Sequence, residues 1–246
     1  MLNNIIKKYT TPQGLWRCFW VVFSNFMMGV CLSLMVIANM GTDPCSFMNL
    51  GVAPKLHLSF GNWQLLMNLI MIIIVIIYRR DMIGLGTLVN MALIGYVVDF
   101  FGAFVWPKVP FLNGTLSFGT RLAILIPTLL LFLVVVSIYM VCEMGMSPYD
   151  ALPWIITEKT KLPFRWVRMG WDLTAVLIGC AVGGHLGILT VLMVISLGPV
   201  VAWFEKHVAS KMFKSFENAG ADLEDNKKSE MPKKNKVVVS GVKGQA

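Results

Sequence analysis

Long apolar runs separated by short polar joints dominate the chain. Six stretches, 18–38, 62–78, 82–106, 121–142, 166–183 and 186–204, each hold enough apolar residues to cross a bilayer, which takes about 20 per helix. The joints carry turn and charge signals: Arg79-Arg80-Asp81 after the second run, Asn113-Gly114 after the third and Gly183-Gly184-His185 after the fifth. Two further segments, 45–57 and 149–162, are amphipathic and too short to span.

The pattern repeats. Residues 39–69 (NMGTDPCSFMNLGVAPKLHLSFGNWQLLMNL) lie over 143–173 (EMGMSPYDALPWIITEKTKLPFRWVRMGWDL), with Met40/Met144, Gly41/Gly145, Pro44/Pro148, Leu58/Leu162, Phe60/Phe164 and Leu69/Leu173 in register. After a one-residue gap the match resumes, pairing Gly84/Gly187, Thr87/Thr190 and Gly95/Gly198. Matches of Gly, Pro and Thr carry more weight than apolar ones, which coincide by chance in membrane proteins. Each half holds three spans, an odd number, so the halves are expected to enter the membrane in opposite senses. The expected fold is therefore an all-α polytopic membrane protein of six transmembrane helices arranged as two inverted three-helix repeats, an architecture common among secondary transporters. The first repeat covers 18–106, an outer loop 107–120 and the second repeat 121–205.

Composition agrees with a membrane protein. Of 246 residues 57% are hydrophobic and 14% charged, where soluble domains carry roughly 45–50% and about 25%. The net charge of +8 does not point to nucleic acid, and no nucleic-acid partner is expected. Nine Lys against five acidic residues from Lys206 onward supply half of it, in a tail (206–246) expected to be flexible and cytoplasmic. With the N-terminus (1–17) inside, inner loops hold nine Lys and Arg before the tail, against Lys55, Lys108 and Arg121 outside. That bias places both termini in the cytoplasm. The first run follows basic residues as in a signal peptide, but its length and the lack of a small-residue cleavage site predict an uncleaved span. The cysteines (Cys18, Cys31, Cys45, Cys142, Cys180) are odd in number, scattered and without a CxxC pair, so they read as packing residues.

Candidate chemistry lies in the repeated loop and in buried polar residues. Gly41 and Gly145 precede Asp43-Pro44 and Ser147-Pro148, each an N-cap followed by Pro at the first helical position. If 45–57 and 149–162 are re-entrant half-helices, their N-termini suit an anionic substrate group; otherwise Asp43 and Ser147 merely cap interfacial helices. Asp43 itself competes with an anion for those N–H groups. Asp99, Asp172 with Arg168 four residues before it, and Glu143 at the end of the fourth span are costly in hydrocarbon and are candidates for a substrate or coupling site. The repeat aligns Arg168 and Asp172 with Gln64 and Asn68, and Glu143 with Asn39. Asn68 is a candidate in the same site, although Gln64, Asn68 and Asn90 also fit interhelical hydrogen bonding. Asp99 has no evident partner, which makes it a candidate proton-coupling carboxyl. No phosphate loop, HExxH or clustered His appears, so no enzyme, metal site or cofactor is expected. Gly179 to Gly183 (GCAVG) has a close-packing spacing that serves either a homodimer or contacts within the chain.

The segments GTDPCSFMNLGVAPKLHLSFGNWQ, GLGTLVNMALIGYVVDF, GMSPYDALPWI and VRMGWDL together resemble the YczE/YitT-type bacterial integral membrane proteins, most closely the YczE branch, across about residues 15–205. That branch's pattern has a G-x-x-P loop after the first and fourth spans, a GTL-N segment and an R-x-G-x-E-like pair. Here the pair reads Arg168, Gly170 and Asp172, and Gly187-Ile188-Leu189-Thr190 stands where G-x-G-T is usual. The resemblance implies a bacterial plasma membrane and a largely uncharacterised family. Some of its members are grouped with small-molecule exporters, and others are associated with secondary-metabolite production. The expectation is a secondary transporter of an unknown small molecule. A non-transporting scaffold for a biosynthetic or transport complex and a passive channel are the competing readings.

Overall fold

The structure, a computed structural model, describes residues 10–112, 114, 116–204 and 207, with side chains for all but 197–202 and 204. Lys7, Lys8, Asn113 and, apart from His207, the expected tail lie outside the described residues. Those residues form eight α-helices and no strand: α1 (Pro12–Ala38), α2 (Pro44–Lys55), α3 (Phe60–Tyr78), α4 (Leu85–Phe100), α5 (Phe118–Val141), α6 (Pro148–Thr160), α7 (Phe164–Ala181) and α8 (Ile188–Phe204). A π-helical turn, Phe101–Val105, prolongs α4. A helix thus stands at each of the six expected spans, and α2 and α6 are the two short segments.

Local chemistry sets the starts. Thr11, Asp43, Ser59, Ser117 and Ser147 each accept a hydrogen bond through a side-chain oxygen from the N–H three residues on, capping α1, α2, α3, α5 and α6. Pro occupies the first turn of α1, α2 and α6, where its missing N–H leaves no bond unmade.

Four helices, α1, α3, α4 with its extension to Lys108, and α5, are long and apolar enough to cross a membrane. Their outer faces present Leu15, Phe19, Ile70, Ile73, Ile77, Leu88 and Leu130 to the surroundings, an exposure that only a lipid solvent makes favourable. The chain is a membrane protein. The other two helices at expected spans differ: α7, 18 residues, carries Arg165, Arg168 and Asp172, and α8 has 17 residues.

The core is centred on α1 against α5, where Val21, Met28, Cys31 and Met35 interlock with Leu125, Phe132, Val135 and Ile138. Around it the contacts come in matched pairs. α4 packs on α1 as α8 packs on α5; α3 on α4 as α7 on α8; α2 on α7 as α6 on α3. Two backbone bonds show the same exchange. Leu189 N donates to Met40 O (3.1 Å), and Gly86 N donates to Met144 O (2.7 Å), so each loop is clasped to the last helix of the other half. Gly41 (φ 113°) and Gly145 (φ 102°) adopt backbone that favours glycine, and a Cβ on Gly84 or Gly187 would collide with the Met144 or Met40 carbonyl. Among the residues that repeat in sequence, Met40 and Gly41 meet Gly187 and Thr190, and Met144 and Gly145 meet Gly84 and Thr87. Gly179 packs against Phe47 of α2 in the same chain, which accounts for the glycine of the close-packing motif nearest the bundle.

Candidate functional site

α2 and α6 are not surface helices. Pro44, Ser46, Phe47, Met48 and Asn49 of α2, and Pro148, Tyr149, Ala151, Leu152 and Ile155 of α6, are buried. The N-termini of the two helices line one cavity of about 560 Å³, the size range of small-molecule sites. Asp43, Pro44, Cys45 and Ser46 enter it from α2, Ser147, Tyr149 and Asp150 from α6. Gln64 and Asn68 of α3, Asn90 of α4 and Arg165 and Arg168 of α7 add to the polar lining, with Met28, Ile94, Phe132, Val136 and Tyr139 among the apolar walls.

One cation organises the α6 side. Arg168 Nε donates to Asp172 Oδ2 (3.0 Å) and Nη1 donates to Asp150 Oδ1 (2.6 Å). Tyr149 donates through its hydroxyl to Asp172 Oδ1 (2.8 Å), and the guanidinium lies 5.5 Å from that ring's centroid. Asp150 is fixed in turn by Ser147, whose hydroxyl donates to Asp150 Oδ2 (2.7 Å) while accepting from Asp150 N (3.1 Å). The Asp172 side chain is 1% exposed, so its charge depends on these partners. The i, i+4 spacing of Arg168 and Asp172 anticipated their pair.

The α2 side is different. Asp43 Oδ2 accepts from Ser46 N (3.0 Å), and Asp43 forms no ion pair among the described residues. Asn68 donates to the Gln64 carbonyl of its own helix (2.9 Å), not across helices. The amide oxygens of Gln64 and Asn68 are buried without a hydrogen-bond partner. Asn90 does bridge helices, donating to Asn25 Oδ1 (2.8 Å).

Of the candidates read from sequence, Asp43, Arg168, Asn68, Pro44 and Ser147 line the cavity, and Asp172 stands directly behind Arg168. Gly41 and Gly145 stand in the loops before α2 and α6, and Pro148 opens α6. Asp99 and Glu143 are elsewhere. Asp99 accepts from Gly61 N (2.9 Å) at the start of α3, so its partner is a helix N-terminus. Glu143 is exposed and faces Arg17 at 3.8 Å. Sequence reasoning missed Asp150 and Tyr149. The signal for Asp150 was present: an acidic residue three positions after an N-cap Ser is the pattern of a reciprocal cap. Nothing local marks Tyr149.

Residues 15–206 match the family of unknown function DUF6198. The uncharacterized membrane protein YczE of Bacillus subtilis (strain 168) is 27% identical over 76% of this chain and 83% of its own length. An uncharacterized protein of Haemophilus influenzae is 24% identical over 77% of this chain and 83% of its own, and the uncharacterized protein YyaS of Bacillus subtilis 28% over 73% and 90%. No solved structure matches.

Proposed function

The chain belongs to the DUF6198 family, of YczE type, and we propose that it is a secondary transporter of a small molecule in a bacterial plasma membrane. Its six crossing helices form two inverted three-helix halves with both termini in the cytoplasm. The observation that carries this reading is the cavity lined jointly by the N-termini of α2 and α6. Charge bias assigns the loops leading to those helices to opposite membrane faces, so one site is approached from two sides. The matched helix contacts and the reciprocal Met40–Leu189 and Met144–Gly86 bonds support interchangeable halves. A scaffold does not require a cavity shared by two helix N-termini, which favours transport over the non-transporting alternative.

Accessibility measures this. With the native cysteines replaced by alanine, Ser46→Cys is expected to react with a small impermeant thiol reagent applied to right-side-out vesicles and, separately, to inside-out ones. Reaction from one side only under every condition would remove the transport reading.

A further inference from the structure

The cavity has the electrostatics of a cation site, and we propose that its substrate is an amphipathic organic amine in its protonated form. The inference rests on the transport reading of the same cavity and names the class of its cargo.

Both helix N-termini that line the cavity are already answered by acceptors of the chain itself. Asp43 Oδ2 accepts from Ser46 N at the start of α2, and Ser147 Oγ accepts from Asp150 N at the start of α6, with the Asp150 carboxylate held beside it. An incoming anion therefore meets carboxylates where a bare helix N-terminus would have offered donors. Two carboxylates and two guanidinium groups line the space, and Asp172 behind Arg168 tips the balance to one net negative charge. Asp43 and Asp150 line the space and Asp172 lies behind them, while Arg168, the buried cation, is shared by Asp150 and Asp172. Arg165 is exposed at the rim. Asp43 makes no direct ion pair among the described residues.

A second observation is independent of the charges. Asn68 and Gln64 line the same cavity, are 3% and 7% exposed, and each holds an amide oxygen with no hydrogen-bond partner. Asn68's orientation is set by its donation to the Gln64 carbonyl, so the unmet group is an acceptor. Buried acceptors in want of partners call for N–H donors, which a protonated amine supplies and a carboxylate does not. The same cavity is lined by the ring of Tyr149 and by the stacked pair Trp154–Phe164 (4.0 Å between centroids), and aromatic faces attract cations. Met28, Met140, Met146 and Met169 provide a deformable apolar wall for the rest of the molecule.

The test uses the full chain in detergent and probes matched in skeleton but opposite in charge: tryptamine with indole-3-propionate, phenethylamine with 3-phenylpropionate, octylamine with nonanoate. Calorimetry at neutral pH is expected to show binding of at least one amine, about tenfold or more tighter than its carboxylate partner. Asp43→Asn and Asp43→Ser keep a capping side chain on α2, and each is expected to weaken the amine by about tenfold. The N,N,N-trimethyl form of the same amine, which lacks N–H donors, is expected to bind less tightly than its parent. Carboxylates that bind as tightly as amines, no binding by any amine, or undiminished amine affinity in both folded Asp43 variants would overturn the proposal. Tracer flux into proteoliposomes separates it from the reading beneath. Amine binding without flux supports the cation site and removes transport, whereas flux of a carboxylate keeps transport and removes the cation site.

Discussion

At the scale of single residues, Arg168 is the side chain on which most depends. It is the cation of two carboxylates, one of them almost inaccessible. Replacing it with Met leaves Asp150 and Asp172 facing one another uncompensated, and stability is expected to fall by about 3–5 kcal/mol. Thermal unfolding in detergent reads this directly. Arg168→Lys is expected to recover only part of the loss, because an ammonium does not reproduce two separate guanidinium contacts. Asp99 behaves otherwise. Since it caps the start of α3 through Gly61 N, Asp99→Asn is expected to lower stability by no more than about 2 kcal/mol and to leave the pH profile of flux unshifted. A shifted profile would restore the coupling role expected from its place in the third span. Asp81, in the joint after α3, gives a pH signature of its own. The hydrogen-bonded Arg79 guanidinium holds its carboxyl below the usual carboxylate range, and Arg79 also pairs with Glu158. A carboxyl lowered in the folded state stabilises the fold above its unfolded pKa of about 3.9 and loses that contribution as pH falls through the folded value. Asp81→Asn is therefore expected to flatten the acid limb of a stability–pH curve slightly.

Among elements, the joints between helices are more demanding than the helices themselves. Gly84 and Gly187 abut the Met144 and Met40 carbonyls so closely that neither tolerates a Cβ without parting the halves. Gly84→Ala or Gly187→Ala is expected to abolish monodisperse protein in size-exclusion chromatography. Gly170→Ala, on α7 with open space around it, is expected to be neutral or to stabilise by about 0.5–1 kcal/mol. Helix positions and caps were legible in the sequence because both are local: apolar run length sets the span, and a Ser, Thr or Asp oxygen reaches an N–H three residues on. The repeated Gly, Pro and Thr positions were legible for a related reason, since backbone contact forbids most other residues there. The Asp150–Arg168–Asp172 cluster was only half legible. Arg168 and Asp172 share a helix, whereas Asp150 arrives from α6 and Tyr149 joins through a tertiary contact that no spacing encodes. The partner of Asp99 was not legible because it is a backbone N–H at the start of α3, 38 residues away.

Across the whole molecule, the matched packing of the halves turns orientation into a measurable claim. On a cysteine-free background, His57→Cys after α2 and Lys161→Cys after α6 are expected to be labelled from opposite faces of the membrane in intact and inverted vesicles. Labelling from one face would dismantle the inverted reading. Within the chain the halves are held by α1 against α5 and by main-chain bonds at Met40–Leu189 and Met144–Gly86, none of which needs the connection between α4 and α5. Covalent continuity there is dispensable for recognition: two polypeptides, severed between Lys108 and Phe118 and made together in one cell, should find each other and co-purify as a pseudo-dimer.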